Sequence, residues 1–386
     1  MPPDPPQIND PAARPLSVLR ALIDSVDHEV LKLLARRNGL VGEIAAYKRV
    51  HGVAIRDRRR EREIIADRRR RAGSLGLSPE VIESMLRLIL WGSRDRQAAL
   101  KAEVPPDIQE QTIAVIGGRG QMGQLIAKLF ADLGHAVMIA DLDTELEPAE
   151  AAAVADVVVI SVPIESTVEV INALGPRVRP KALMMDVTSI KEAPVEAMLR
   201  ASRASVVGTH PLFGPSVHSL QGQRIVVTPG RGERWLSWLE SMLRARGLSI
   251  KETTPQEHDR AMALVQVLTH FATEVMGRTL AELGVSLEET LQFTSPVYLM
   301  ELLMTARHFA QSPDLYASIQ MCNPLASEVT GAFARAAAKH REVITTQDRA
   351  AMRALFDEVQ EFCGPFSDQA LEQSSYLIDR LVERMD

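Results

Sequence analysis

The chain has little cysteine. Cys322 and Cys363, two in 386 residues, form no disulfide framework and no ligand-spaced cluster, so reduced thiols and no bound metal are expected. An apolar leader is also missing. The proline-rich start, residues 1–15, reads as a disordered tail and not as a signal peptide. The longest apolar run, near residues 154–163, is broken by Asp156 and falls far short of a membrane span. Positive charge is not in excess. A net charge of −6 argues against a general nucleic-acid binder. These absences leave a cytoplasmic protein with neither membrane nor nucleic acid as partner. Hydrophobic content of 46% and charged content of 24% suit a globular protein, and 386 residues suggest two or three domains.

Strand patterns are absent before residue 112. Apolar residues recur at helical spacing from Leu16 to Tyr47, then around residues 57–70 and 80–100, with a bend near His51-Gly52. Residues 16–100 therefore read as an all-α three-helix domain. Residues 101–111, with Pro105-Pro106, read as a linker. From 112 to 253 strands at 112–116, 136–140, 157–162, 182–186, 205–208 and 223–228 alternate with helices. That implies a parallel, doubly wound α/β domain of Rossmann type. Residues 254–386 read as all-α, with long helices at 258–283, 287–311, 313 to about 340, and onward to 385.

A glycine turn opens the central domain. Thr112-Ile-Ala-Val-Ile116 is a buried strand, Gly117-Gly-Arg-Gly-Gln-Met-Gly123 follows, and residues 124–133 continue as helix. Gly118, Gly120 and Gly123 have the spacing that brings backbone close to a pyrophosphate at a helix N-terminus. Asp141 closes the next strand about 20 residues on, where a carboxylate accepts ribose hydroxyls and repels a 2′-phosphate. The expected cofactor is NAD. Arg119 either reaches the cofactor phosphates or points to solvent. His210 follows the strand 205–208, at the carboxyl end that faces the cofactor crevice. A histidine there takes a hydroxyl proton as hydride leaves, or merely caps a loop.

The letters around these residues resemble prephenate dehydrogenases. The resemblance rests on the glycine turn with Gln121 and Met122, Ser161-Val-Pro163, Asp186-Val-Thr-Ser-Ile-Lys191, Gly208-Thr-His-Pro-Leu-Phe-Gly-Pro215, Glu257-His-Asp259, and Tyr298…Ala306-Arg307-His-Phe-Ala-Gln311. It implies NAD-dependent oxidative decarboxylation of prephenate to 4-hydroxyphenylpyruvate. Loss of hydride from the ring carbinol makes a vinylogous β-keto acid, which sheds CO₂ without a metal. By the resemblance His210 is the hydroxyl partner, Ser189 supports its hydrogen-bond cluster, and Arg307 binds the ring carboxylate. His258, His270 and Lys191 are further candidates for substrate contact. Each has an alternative as a packing or solvated residue. Arogenate in place of prephenate stays open, and tyrosine inhibition is implied for many relatives.

The front helices carry polar residues on apolar faces. Arg37 and Lys48, eleven apart, fall within about 20° of each other on a helix and share a stripe with Val41 and Ile44. Two such cations are costly to bury unless an anion meets them. Arg20 points about 100° away from Arg37, out of reach of the same pocket in one straight helix but able to serve a partner's. Asp57, Arg60 and Glu61 lie on the second helix, Ser93 and Gln97 on the third. This segment resembles the helical chorismate mutase domain, whose protomers interlock their long helices. That implies a homodimer in which the counterpart of Arg20 crosses to the partner. Lys48 and Gln97 then stabilise charge on the ether oxygen, and Glu61 bonds the substrate hydroxyl. The charge runs at 56–62 and 68–71 also suit a non-catalytic arm for dimerisation or RNA binding, and they blur the register of Arg60. The combined expectation is a bifunctional chorismate mutase and prephenate dehydrogenase.

Overall fold

A computed structural model describes residues 14–50, 57–99, 109–217 and 219–382. The bend at His51-Gly52, residues 1–13 of the expected tail and residues 101–108 of the expected linker lie outside these. Three helices come first: α1 (Leu16–Val50), α2 (Arg58–Ser74) and α3 (Pro79–Ala99). Asp57 caps α2, accepting the amide of Arg60 at 2.9 Å. Arg69 clamps α2 to α3 through Glu80 at 3.0 Å and through Glu83. Burial on α1 is confined to its C-terminal half, at Val41 and Ala45. Leu22, Ile23 and Val26 are 47%, 60% and 59% exposed, and Ile44, expected on the buried stripe, is also in solvent. A stripe of this kind is an interaction surface, not a finished face.

From residue 112 the chain alternates: β1 (Thr112–Ile116), α4 (Gln121–Ala131), β2 (Ala136–Ala140), α5 (Pro148–Val154), β3 (Val157–Ile160), α6 (Ile164–Leu174), β4 (Leu183–Asp186), α7 (Glu192–Ala201), β5 (Ser205–Pro211), β6 (Arg224–Arg231), α8 (Glu233–Ala245) and β7 (Ser249–Glu252). The described strands form one seven-stranded sheet in the order β2-β1-β3-β4-β5-β6-β7. Ile113 and Val115 enter one apolar cluster, while Ala114 and Ile116 enter the other. Helices therefore cover both faces, which is why β1, β3 and β4 are continuous apolar runs. The expected all-parallel sheet needs correction, because β6 runs antiparallel to β5. A second correction follows from it. His210 does not lie past the strand but inside β5, opposite Val226.

The remaining helices are α9 (Pro255–Met262), α10 (Thr269–Glu282), α11 (Leu287–Gln292), α12 (Pro296–Phe309), α13 (Pro313–Met321), α14 (Ala326–Thr346), α15 (Arg349–Cys363) and α16 (Phe366–Val382), with a π-helical turn, Ala263–Leu268, joining α9 to α10. Two of the expected long helices are broken, one where Pro296 supplies a new helix start and one where Pro324 interrupts it, while Pro313 starts α13 at the expected boundary. Among the described residues no helix is long and apolar enough to cross a membrane.

The glycine turn sits at the switch point, where β2 and β3 leave β1 on opposite sides. Gly117 has φ of 78°, and a Cβ there would lie 2.3 Å from the carbonyl oxygen of Ser161. Gly117→Ala is therefore expected to destabilise the protein by about 1–3 kcal/mol. Urea denaturation reads this, and an unshifted midpoint contradicts the close approach.

Candidate active sites

The cofactor cradle is built by three segments. Added Cβ atoms would meet Ile139 Cγ2 at 2.7 Å from Gly118 and the Gly117 carbonyl oxygen at 2.4 Å from Gly123, so side chains are excluded from the floor of the turn. No side chain caps α4 at Gly120, which leaves its first amides to an anion. Gln121 opens the helix, whereas the Met122 side chain packs against the core and can offer only its backbone. Asp141 takes the amides of Arg119 at 3.0 Å and Leu142 at 2.9 Å. Arg119 turns to the surface and pairs with Asp143. Ser161 and Pro163 lead from β3 into α6, facing Gly117 across the switch point. The tight turn, the uncapped helix and the carboxylate at the end of β2 fit a dinucleotide. Gly117, whose backbone is the most constrained of these, lies outside the glycine spacing by which the sequence identified the cradle.

A buried hydrogen-bond chain lies at the ends of β4 and β5. His210 Nδ1 is 2.9 Å from His258 Nε2, and His258 Nδ1 is 2.7 Å from Asp259 Oδ1. The Asp259 carboxylate also accepts the amides of Lys191 at 2.8 Å and Glu192 at 3.0 Å, at the N-terminus of α7. Lys191 ion-pairs with Asp186 and donates to the Thr209 carbonyl oxygen at 2.8 Å. Thr188, not its neighbour Ser189, bonds Asp186, with its amide at 3.0 Å. Ser189 is half-buried at the edge of this cluster. Burial, with the nearby His258 and Lys191, holds the His210 imidazole well below its ordinary value. Burial also lowers His258, against the pull of Asp259, and lowers Lys191, against the pull of Asp186. His210 is thus a neutral imidazole near pH 7, with Nδ1 engaged and Nε2 left for a reactant.

Two expectations change here. Lys191 is neither solvated nor placed to touch a substrate, because its side chain is fully enclosed. His258 is likewise buried behind His210, its Nε2 against His210 Nδ1. Asp186, Thr188 and Asp259 lie within the quoted motifs, yet nothing in their spacing singles them out.

His270 and Arg307 belong to a second cluster, on α10, α12 and α13. His270 packs against His308 and Tyr316, at centroid distances of 5.3 and 4.7 Å, and His308 stacks on Tyr316 at 3.8 Å. Glu274 Oε1 lies 2.9 Å from His308 Nε2 and accepts from Gln320 at 2.8 Å. Burial raises the Tyr316 phenol, and the charge of Arg307 works against that rise. Among the described residues no hydrogen bond or ring contact ties this cluster to His210. Beside it opens a cavity of about 1130 Å³ lined by Glu274, His308, Tyr316 and Gln320 among apolar side chains.

On the front helices Arg37 of α1 donates to Ser93 of α3, and the Ser93 hydroxyl in turn donates to the Ile89 carbonyl oxygen at 2.6 Å. Among the described residues no carboxylate meets Arg37, and burial disfavours its charge. Lys48 is half-buried on the same helix. Glu61 is bridged to Arg94 at 2.6 Å, a partner the sequence reading passed over. Asp57 is occupied as a helix cap, and Arg60 stands at the surface, 3.6 Å from Glu63. Arg20 is exposed, and the 17 residues to Arg37 span about 25 Å of helix. The Gln97 side chain lies outside the described residues.

Residues 19–98 match the family profile for chorismate mutase type II. Residues 122–252 match that of the prephenate dehydrogenase nucleotide-binding domain, and 254–358 that of its dimerization domain. The T-protein of Enterobacter agglomerans is 34% identical over 365 residues, 94% of this chain and 97% of its own. The T-protein of Haemophilus influenzae is 33% identical over 370 residues, 95% and 97% respectively. A solved prephenate dehydrogenase from A. aeolicus, in complex with hydroxyphenyl propionate and NAD+, shares the fold at a TM-score of 0.54 and 19% identity, covering 66% of this chain and 97% of that one.

Removing the buried cation tests the dehydrogenase cluster. Lys191→Met leaves Asp186 enclosed and unpaired, and is expected to cost about 3–5 kcal/mol. Adding Asp186→Asn should recover part of that loss in urea denaturation. A double variant no more stable than Lys191→Met contradicts a pair held by mutual neutralisation.

Proposed function

The chain belongs to the T-protein family, in which a chorismate mutase is fused to a prephenate dehydrogenase, and from that premise we propose which residues carry each reaction. The enzyme serves tyrosine biosynthesis. It rearranges chorismate to prephenate and then decarboxylates prephenate oxidatively with NAD.

Half-buried Arg37, bonded to a neutral hydroxyl and, among the described residues, to no carboxylate, is the observation that carries the mutase assignment. A substrate carboxylate completes its neutralisation. The rearrangement is unimolecular and needs no nucleophile, so cations that hold a reactive conformer are sufficient. Ser93 orients Arg37. Lys48 and Gln97 stabilise charge on the ether oxygen, and Glu61, held by Arg94, accepts the substrate hydroxyl. Asp57 and Arg60 sit at the start of α2 as rim contributors. Arg20, about 25 Å along α1, is proposed to serve the site of a second copy. The exposed stripe of α1 and the dimerization domain both support a homodimer.

The neutral, oriented imidazole of His210 carries the dehydrogenase assignment. Gly118, Gly120, Gly123 and the first amides of α4 are proposed to hold the NAD pyrophosphate, with Asp141 on its ribose and Arg119, Ser161 and Pro163 at the rim. NAD, when bound, supplies the hydride acceptor. His210 Nε2 takes the proton of the carbinol hydroxyl, with Ser189 as a neighbouring donor. Arg307, with no carboxylate partner among the described residues, is proposed to bind a substrate carboxylate. His270 borders that subsite beside Tyr316. Tyrosine as a feedback inhibitor and a cytoplasmic location are further parts of this reading.

Two variants separate the sites. Arg37→Ala is expected to lower mutase turnover by about 10²–10³-fold and to spare prephenate-dependent NAD reduction. His210→Asn is expected to lower NAD reduction by about 10²–10⁴-fold and to spare the mutase. Equal loss of both activities in either folded variant contradicts separate sites. The pH dependence carries a sign. Because His210 is held low, it stays an unprotonated base as pH falls. The acid limb of kcat/KM for prephenate should therefore lie below the ordinary imidazole value of about 6.5. A limb above that value contradicts a buried neutral base.

A further inference from the structure

We propose that Asp259 and His258 form a positioning relay that fixes the tautomer of His210 and supplies the counter-charge for the proton it accepts. This rests on the reading of His210 as the base. Asp259 is an acceptor, already holding the two amides that open α7. Its third neighbour, His258 Nδ1 at 2.7 Å, therefore carries the hydrogen. A neutral His258 protonated at Nδ1 has its lone pair at Nε2. His210 Nδ1, 2.9 Å from that lone pair, must in turn be the donor. The opposite tautomer of His210 would set two lone pairs against each other across the same gap. Hydrogen-bond direction thus runs from His210 through His258 to Asp259, and Nε2 of His210 is the basic nitrogen.

Charge counting gives the relay its second role. From the β4–α7 segment come Asp186 and Lys191, which neutralise each other. From α9 come His258 and Asp259. The residue opposite on β6 is Val226, which carries no charge. With both histidines neutral, one negative charge is left over, on Asp259. In the reaction the substrate O–H bond breaks and its proton moves to His210 Nε2. The freed electron pair forms the second C–O bond as hydride leaves the carbinol carbon for the NAD of the established activity. The imidazolium formed on His210 then brings the enclosed cluster to neutrality. Burying that cation without Asp259 would leave it without a counter-charge.

The test uses the full-length chain. With NAD absent, ¹⁵N imidazole spectra at neutral pH should show His210 protonated at Nδ1. An Nε2–H tautomer overturns the relay. Asp259→Asn keeps an acceptor for one of the two helix amides and removes the charge. It should lower kcat for prephenate oxidation by roughly 10²-fold while KM stays nearly constant. It should also move the acid limb to lower pH, since loss of an anion makes His210 harder to protonate. Mutase turnover, unchanged, reports that the chain is folded. Wild-type kcat with an unmoved limb overturns the relay, as does a loss confined to KM. If Asp259→Asn fails to fold, His258→Gln against His258→Leu decides. Gln retains an acceptor for His210 Nδ1 and should retain more activity, and equal loss overturns the proposal. A normal Asp259→Asn beside an inactive His210→Asn removes the relay alone. An active His210→Asn removes the base itself.

Discussion

The carboxylate of Asp259 receives two main-chain amides from α7 and one ring nitrogen from α9. It therefore fastens the first helix after the sheet to the start of α7. Asn323 strengthens the fastening, donating to the Asp259 carbonyl oxygen at 3.0 Å, so the loop between α13 and α14 is joined to the same point. A carboxylate with three donors is costly to displace, because each donor would be left buried and unpaired. On the proposed relay, that connection chooses the protonated nitrogen of His210, while the strand only places the ring.

The two reactions use different physics within one chain. On the proposed assignment the front site arranges fixed cations and has no proton to transfer, so half-buried Arg37 would wait beside Ser93 for a carboxylate. The rear site, on the proposed reading, has a proton to accept, and one more cation would complete the balance of its enclosed charges. The fusion places the maker of prephenate and its consumer at equal concentration, whatever the expression level.

Much of this was legible in the letters, and what was not has physical reasons. The glycine turn, Asp141 and His210 are close to their elements in sequence, and helical phase alone put Arg37 beside Lys48 and away from Arg20. The antiparallel β6 was hidden because apolar alternation gives no strand direction. β7, Ser249–Glu252, is a partly exposed edge with a single strongly apolar residue, so it gave no apolar signal. Lys191 read as either a substrate contact or a solvated helix start because its pairing with Asp186 is revealed only when β4 and β5 lie side by side. Asp259 reaches Lys191 across 68 residues, a separation no local pattern encodes. Periodicity also ran through Pro296 and Pro324, where the backbone chemistry of proline ends a helix.

The first helix has a consequence that concerns quantity more than geometry. On the proposed pairing, the apolar stripe of α1 is covered by another copy of the chain, while its own chain buries little beyond Val41 and Ala45. The free energy holding the front helices then includes a bimolecular contribution, and it shrinks as copies become scarce. Dilution would act on the mutase as a denaturant does, while the sheet around β1 to β7, whose core is built within one chain, would not respond in the same way. The cell's supply of this protein would then set how much of each molecule is folded.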